Sequence, residues 1–428
     1  MMPKIKIESL LSGIGLASRY ATKAILIIIV GRGLSTNELA GWYVILSLIG
    51  MFLIAEGGLR QIGIRGISFR LKNQGRNDSE AFTFTLILSY VLVAIFIAFL
   101  AILFGINFLE ENRSTADLKH IKEIWILFVL GSMATLGTSL ASSIMMGKGN
   151  IKIAQMGEAI INIFALVVLV IYAFAINKSS NLVVISYAVN IPLIAGLLFY
   201  ILFLKPRNLL CFDALAAYNI DKFRSHIREI LPSYSYMIAN IASYNILTSF
   251  VILFLSENVS PVQVAGYGLS QQILVMAMAF SSISINNTFN LIAERNIKSR
   301  NIAVESIKTG LLSMIAMSIL LNILGGEIIK LIGFKSGILS GVALILFTMT
   351  LVVEYAATLY GQVLTACSLE KLYVFSNILF SVLFLVSLYI VRLFSVDDIV
   401  FMLSIRLTLA IVVFLLPVYI ISKKKMVV

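Results

Sequence analysis

The chain has 428 residues, of which 60% are hydrophobic and 13% charged, where a soluble domain carries about 25% charged residues. With a mean hydropathy of +0.99, this excludes a soluble domain, and the net charge of +12 is no sign of nucleic-acid binding. What remains is a polytopic membrane protein with room for roughly a dozen spans of ~20 residues and little else.

At the N-terminus, Lys4 and Lys6 precede an apolar run in the manner of a signal peptide. The run carries Arg19 and Lys23 and has no small-residue cleavage site, so it reads as the first span. Apolar stretches at about 10–30, 40–60, 81–107, 121–146, 151–176, 182–204, 230–255, 263–291, 304–324, 337–366, 371–391 and 399–421 predict an all-α protein of about twelve transmembrane helices. With the N-terminus inside, the inner connections collect Arg60, Arg65, Arg70, Lys72 and Arg76, then the 205–229 cluster, then Lys423, Lys424 and Lys425. The outer loops hold few cations, among them Arg113, Lys119 and Lys178. That bias places both termini in the cytosol. The longest inner connections are 60–80 and 205–229, and the longest outer loop is 108–120. Cys211 falls in an inner loop and Cys367 in a span, so no disulfide is expected.

One pattern occurs twice. Ser35-Thr36-Asn37-Glu38-Leu39-Ala40-Gly41-Trp42 and Ser260-Pro261-Val262-Gln263-Val264-Ala265-Gly266-Tyr267 lie 225 residues apart, each between two apolar runs. Helix 1 then maps onto helix 7, and each half holds six helices. Because six is even, both halves share an orientation and their pseudo-twofold axis runs along the membrane normal. The expected division is an N-terminal bundle at 1–204, a basic inner connection at 205–229 and a C-terminal bundle at 230–428.

Charges inside the spans carry the chemistry. Arg19 and Lys23, four apart, share one face of helix 1 with Ser12. A central Arg costs at least ~2.5–3.5 kcal/mol in a bilayer, so a water-filled cavity is the better reading, and two cations there suit an anionic group such as phosphate. The 225-residue offset sets Tyr244 and Thr248 opposite them, within a stripe of Tyr236, Asn240, Tyr244 and Thr248 on helix 7. Such a stripe fits either interhelical glue or a sugar path. Ser281, Ser282, Ser284, Asn286, Asn287 and Asn290 at the end of helix 8, and Thr135, Thr138, Ser139 and Ser142 on helix 4, extend it. Glu56 is expected to pair with Arg60 four residues on, with ion coupling as its alternative role. Glu354, mid-span, either binds a proton or Na⁺ or is permanently paired with a cation; Glu158 ranks behind it. Arg406 either snorkels outward or joins Arg19 and Lys23 at the anion.

There is no phosphate-binding glycine loop for ATP hydrolysis, and His120 and His226, each in a predicted loop, make no metal site or catalytic triad. No cofactor or metal is called for beyond a coupling Na⁺ or H⁺.

The segment TNELAGWYVILSLIGMFLIAEGGLR, residues 36–60, resembles the polysaccharide and O-antigen export branch of the multidrug, oligosaccharidyl-lipid and polysaccharide (MOP) exporters. Gly41-Trp42-Tyr43 resembles that family's turn after helix 1, and Glu56-Gly57-Gly58-Leu59 its acidic-Gly-Leu signature, with an extra glycine and Glu where Asp is common. The stretch Val264 to Ser270 is similar to the second-half turn. The resemblance implies a flippase of undecaprenyl-pyrophosphate-linked oligosaccharide in a bacterial inner membrane, with two six-helix bundles, the lipid bilayer around it, and a polysaccharide polymerase and chain-length machinery as partners. A drug or metabolite exporter of the same fold is the alternative. Related drug exporters often carry a carboxylate in helix 1 to bind cations; Arg19 and Lys23 in that place disfavour a cationic cargo.

Overall fold

The computed structural model describes residues 7–56, 58–112, 115, 118–175, 181–203, 220–282, 297–366, 369–393 and 398–427. Among these every regular element is helical. The helices are α1 (Ile7–Gly33), α2 (Thr36–Leu53), α3 (Leu59–Asn73), α4 (Arg76–Leu100), α5 (Ile106–Glu111), α6 (Ile121–Gly147), α7 (Ile151–Ala175), α8 (Leu182–Phe203), α9 (Ile220–Asn245), α10 (Val251–Asn258), α11 (Pro261–Ser282), α12 (Ile297–Ile332), α13 (Gly341–Ala366), α14 (Glu370–Leu393), α15 (Ile399–Leu409) and α16 (Leu416–Val427). Among the described residues, 10 helical stretches are long and apolar enough to cross a membrane; the chain is a multi-pass membrane protein. Helix α1 covers the first predicted span and α11 the eighth as far as Ser282; residues 283–291 of that span lie outside the described residues.

The chain packs as two compact units, Met1–Leu34 with Leu48–Ile241, and Ser35–Ser47 with Ala242–Val428. These units are defined by packing, whereas 204 and 230 mark connections in the sequence. In the first unit α1 lies along α7, α6 along α8, and α3 against α4 and α6. Its core joins Leu59 and Ile67 of α3, Phe82, Leu86, Tyr90 and Ile97 of α4, Leu136 and Ile144 of α6, and Ile230 of α9. In the second unit α13 is central, packed by α12, α14, α15 and α16. Phe347, Phe380 and Phe384 fill it.

Two expectations about connections change. The inner connection expected at 60–80 is largely α3, a 15-residue helix carrying Arg70 and Lys72 in its last turn. Short apolar residues on one face (Leu59, Gly63, Ile67) let it pack where a loop would leave polar backbone unpaired. In the second connection, 205–219 and Cys211 lie outside the described residues, as does Cys367, while α9 already begins at Ile220. His226 therefore sits on a helix, not in a loop.

The repeated motif has a concrete local function. Ser35 Oγ and its backbone N–H both donate to Glu38 Oε2, at 2.8 and 2.9 Å, while the Glu38 N–H lies 3.4 Å from Ser35 Oγ. Ser260 donates to Gln263 Oε1 in the same way, at 3.2 and 3.3 Å. The first copy is a helix-starting capping box and the second makes the side-chain half of one, and both belong to the second unit. There Gly268 receives the Tyr43 ring so closely that a Cβ would stand 2.3 Å from it. Tyr43 and Gly268 are themselves 225 positions apart, so the two copies cross at equivalent residues.

Candidate functional site

Each unit holds its own seam of polar side chains. In the first, α2 ends in a 3₁₀ turn, Ile54–Glu56, and α3 starts after Gly58 in the left-handed region at φ 75°. The break frees backbone carbonyls, and that of Ala55 accepts the Tyr234 hydroxyl. Continuous helical spacing from Glu56 to Arg60 is lost, which corrects their expected pairing. Glu56 Oε1 accepts from Ser139 Oγ at 3.0 Å and Tyr90 Oη at 3.2 Å. Arg60 instead pairs with Glu158 of α7 and donates to Ser142 Oγ at 3.0 Å. Ser142 Oγ in turn donates to Glu158 Oε1 at 2.6 Å. One turn further along α7, the Asn162 carbonyl accepts from Thr22 Oγ1 of α1, at 3.3 Å. Lys23 is exposed on the next position of α1; Arg19 lies one turn earlier on the same helix, with its side chain outside the described residues.

In the second unit, Glu354 and Arg406 form a two-pronged pair: Nε to Oε1 at 2.8 Å and Nη2 to Oε2 at 2.9 Å. The remaining Nη1 donates to Tyr267 Oη at 2.7 Å. Arg406 is 1% exposed, with its guanidinium carbon 5.7 Å from the Phe384 ring centroid. A cation so enclosed neither snorkels nor faces open space. This corrects the reading of Arg406 as a third cation at the anion, and of the two readings of Glu354 the geometry realises the paired one. The reason is energetic: a buried carboxylate and guanidinium lower each other's desolvation cost only when bidentate and fully bonded. Tyr267, seen in the sequence only as part of the repeat, is the partner that the sequence reading missed.

The helix 7 stripe divides. Tyr236 and Asn240 are half-buried residues of the first unit, while Tyr244, 50% exposed, and Thr248 belong to the second. A π-helical turn at Ile246–Phe250 interrupts the period just before Thr248, whose hydroxyl donates to the Tyr244 carbonyl at 3.0 Å. On α6, Thr135 and Thr138 bond to their own helix backbone, and Ser139 and Ser142 are the pair turned to carboxylates. Ser284, Asn286, Asn287 and Asn290 lie outside the described residues. Among the described residues no cluster of three His, Cys, Asp or Glu could hold a metal.

This fold is shared with solved membrane transporters. One structure of that fold is a multidrug resistance MATE family transporter of the MOP superfamily in an inward-facing conformation, with a TM-score of 0.68 and 15% identity over 97% of this chain and 98% of the other. Another is the lipid II flippase MurJ in an inward closed conformation, at 0.68 and 13% over 98% and 89%. The MATE multidrug transporter DinF-BH gives 0.67 and 16% over 99% and 96%. No family model and no curated protein matches the sequence itself.

Proposed function

We propose that the chain is a flippase that moves an undecaprenyl-pyrophosphate-linked oligosaccharide across a bacterial inner membrane by alternating access. It does so with twelve helices in two pseudo-twofold-related halves and with both termini cytosolic. The observation that carries this reading is the state of the three carboxylates Glu56, Glu158 and Glu354. Each is engaged: by Tyr90 and Ser139, by Arg60 and Ser142, and by Arg406. A cationic drug would have to displace one of these bonds, whereas the mid-span charges that the sequence places on α1, Arg19 and Lys23, are cations. A pyrophosphate matches that pair in charge and, at the guanidinium, in bidentate geometry. The lipid tail stays in the bilayer, Tyr236, Asn240 and Tyr244 contact sugar, and a polysaccharide polymerase with its chain-length machinery takes the product.

Of the three carboxylates, Glu56 is held by hydroxyl groups, whereas Glu158 and Glu354 are each held by a guanidinium. Glu56 is therefore the group we assign to coupling by H⁺ or Na⁺, with Glu158 behind it and Glu354 serving as an anchor.

The test is the sidedness of a labelled pyrophosphate-linked oligosaccharide in vesicles, read by a probe confined to one face. Protein-dependent appearance on the far leaflet, lost in Arg19→Gln/Lys23→Gln and retained in Glu354→Gln/Arg406→Met, is expected. No protein-dependent movement of the organism's own glycan would transfer the assignment to a drug or metabolite exporter. That second reading is favoured by the equal likeness of the fold to the MATE transporters.

A further inference from the structure

Where α3, α4 and α9 meet in the first unit, cations outnumber acids and the ion pairs are unevenly shared. Arg70, 2% exposed, takes two carboxylates: Nε stands 3.1 Å from Asp78 Oδ2 of α4, and Nη2 is bonded to Glu229 of α9. Glu80 of α4 is turned to Arg76 and Lys148, at 3.7 and 3.4 Å. The acids of α4 and the inner turn of α9 are thus spent on Arg70, Arg76 and Lys148. Arg65 and Lys72 of α3, with Lys222, Arg224 and Arg228 of α9, are exposed and form no ion pair among the described residues. Against these stands Asp221, in the first turn of α9.

The same surfaces expose apolar side chains between the cations. On α3, Arg65, Phe69 and Lys72 follow one another at helical spacing on the side away from the buried stripe of Leu59, Gly63, Ile67 and Arg70. Phe69, between the two cations, is 56% exposed. On α9, Ile220, Arg224, Arg228 and Leu231 share a face, with Ile220 69% and Leu231 54% exposed. The Arg70–Glu229 bond ties the two helices together at this level. The level itself is set by the spans: α4 opens the apolar stretch Arg76–Glu111, and α9 runs on into Tyr234–Asn258. Arg228 precedes Tyr234 by roughly 9 Å of helix, which places the cations at the edge of the hydrocarbon.

We propose that the exposed faces of α3 and of the start of α9 form a docking surface for anionic phospholipid, with the unpaired cations on the headgroup phosphates and Phe69, Ile220 and Leu231 in the acyl boundary. Charge complementarity selects this occupant. A zwitterionic headgroup brings its own amine and offers the surface no net attraction, whereas a phosphodiester without one meets cations whose nearest acids are already engaged. The interleaved apolar residues select a bilayer over a soluble acid, because a helix of this pattern gains from both terms only at a lipid interface. Lipid bound there braces α3 against α9 beside the Arg70–Glu229 bond. The inference stands whichever cargo the protein carries.

Hydrogen–deuterium exchange of residues 59–73 and 220–231 in the full-length protein tests this, in vesicles of phosphatidylcholine alone and of an equal mixture with phosphatidylglycerol. The wild type is expected to exchange several-fold more slowly at both segments in the mixed vesicles, while α6 to α8 stay unchanged. The difference should shrink at about 1 M salt, where the screening length is about 3 Å. It should vanish in Arg65→Gln/Lys72→Gln/Arg224→Gln/Arg228→Gln, whose exposed, unpaired side chains hold no other element in place. Soluble polyglutamate added to phosphatidylcholine vesicles should protect neither segment. Equal exchange of the wild type in the two vesicles, or a quadruple variant that keeps the wild-type difference, overturns the proposal. Protection by polyglutamate matching that by phosphatidylglycerol also overturns it and assigns the surface to an acidic protein.

Discussion

Glu354 and Arg406 stand 52 residues apart in the chain, and each is conspicuous in the sequence as a charge inside a span. Their partnership was not legible there, because nothing local links two helices that meet only in the folded unit. The relation expected of Arg19 and Lys23, by contrast, is local, since positions four apart fall on one face of a regular helix. The buried pair makes a sharp prediction about stability. Arg406→Met alone leaves the Glu354 carboxylate enclosed without its counter-charge and should cost about 3–5 kcal/mol. Adding Glu354→Gln removes the orphaned charge and should return most of that loss. Tyr267→Phe removes one charge-assisted bond and should cost about 1.5–3 kcal/mol. Thermal unfolding of the four proteins in one detergent measures all three differences. A double variant no more stable than Arg406→Met would show that the pair does not neutralise itself.

At the scale of elements, what was local was legible and what depended on a break was not. The repeat at Ser35 and Ser260 was visible as a sequence pattern, and the bonds it makes run between residues three apart, as in a helix cap. The Glu56–Arg60 pairing failed because Gly58, at φ 75°, turns the chain between them. The π-helical turn at Ile246–Phe250, within which Thr248 lies, is another break that no composition signals. Another such turn, at Ala101–Gly105, frees a carbonyl that the Trp125 indole N–H caps at 3.0 Å. The break at Gly58 can be tested against a glycine that needs no freedom. A Cβ at Gly58 would meet left-handed backbone and stand 2.6 Å from Met237 Sδ. Gly58→Ala should therefore destabilise by about 1–2 kcal/mol from backbone strain alone, with Met237 adding to it. Gly326, inside α12, has nothing within 4 Å of such a Cβ. There Gly326→Ala should stabilise by about 0.5–1 kcal/mol. Opposite signs in denaturation of the two variants are the expected outcome; the same sign would place the turn at Gly58 within reach of any residue.

For the whole molecule, the distribution of charge along rigid helices fixes what the topology must be. The helical stretch Arg76–Glu111 has 36 residues, which at 1.5 Å per residue is roughly 54 Å and exceeds a hydrocarbon core of about 30 Å. Its two ends must then emerge on opposite faces. At one end Arg76 is exposed beside Lys72 and Arg65, and at the other Lys122 pairs with Glu110 at 2.8 Å. Lysine and arginine are denser at the first end, so the cation bias of the sequence predicts that end in the cytosol. In a protein with Cys211 and Cys367 replaced by serine, an impermeant maleimide should label Lys122→Cys in intact cells. It should reach Arg76→Cys only after the membrane is opened. The reverse pattern would invert every sidedness assigned above.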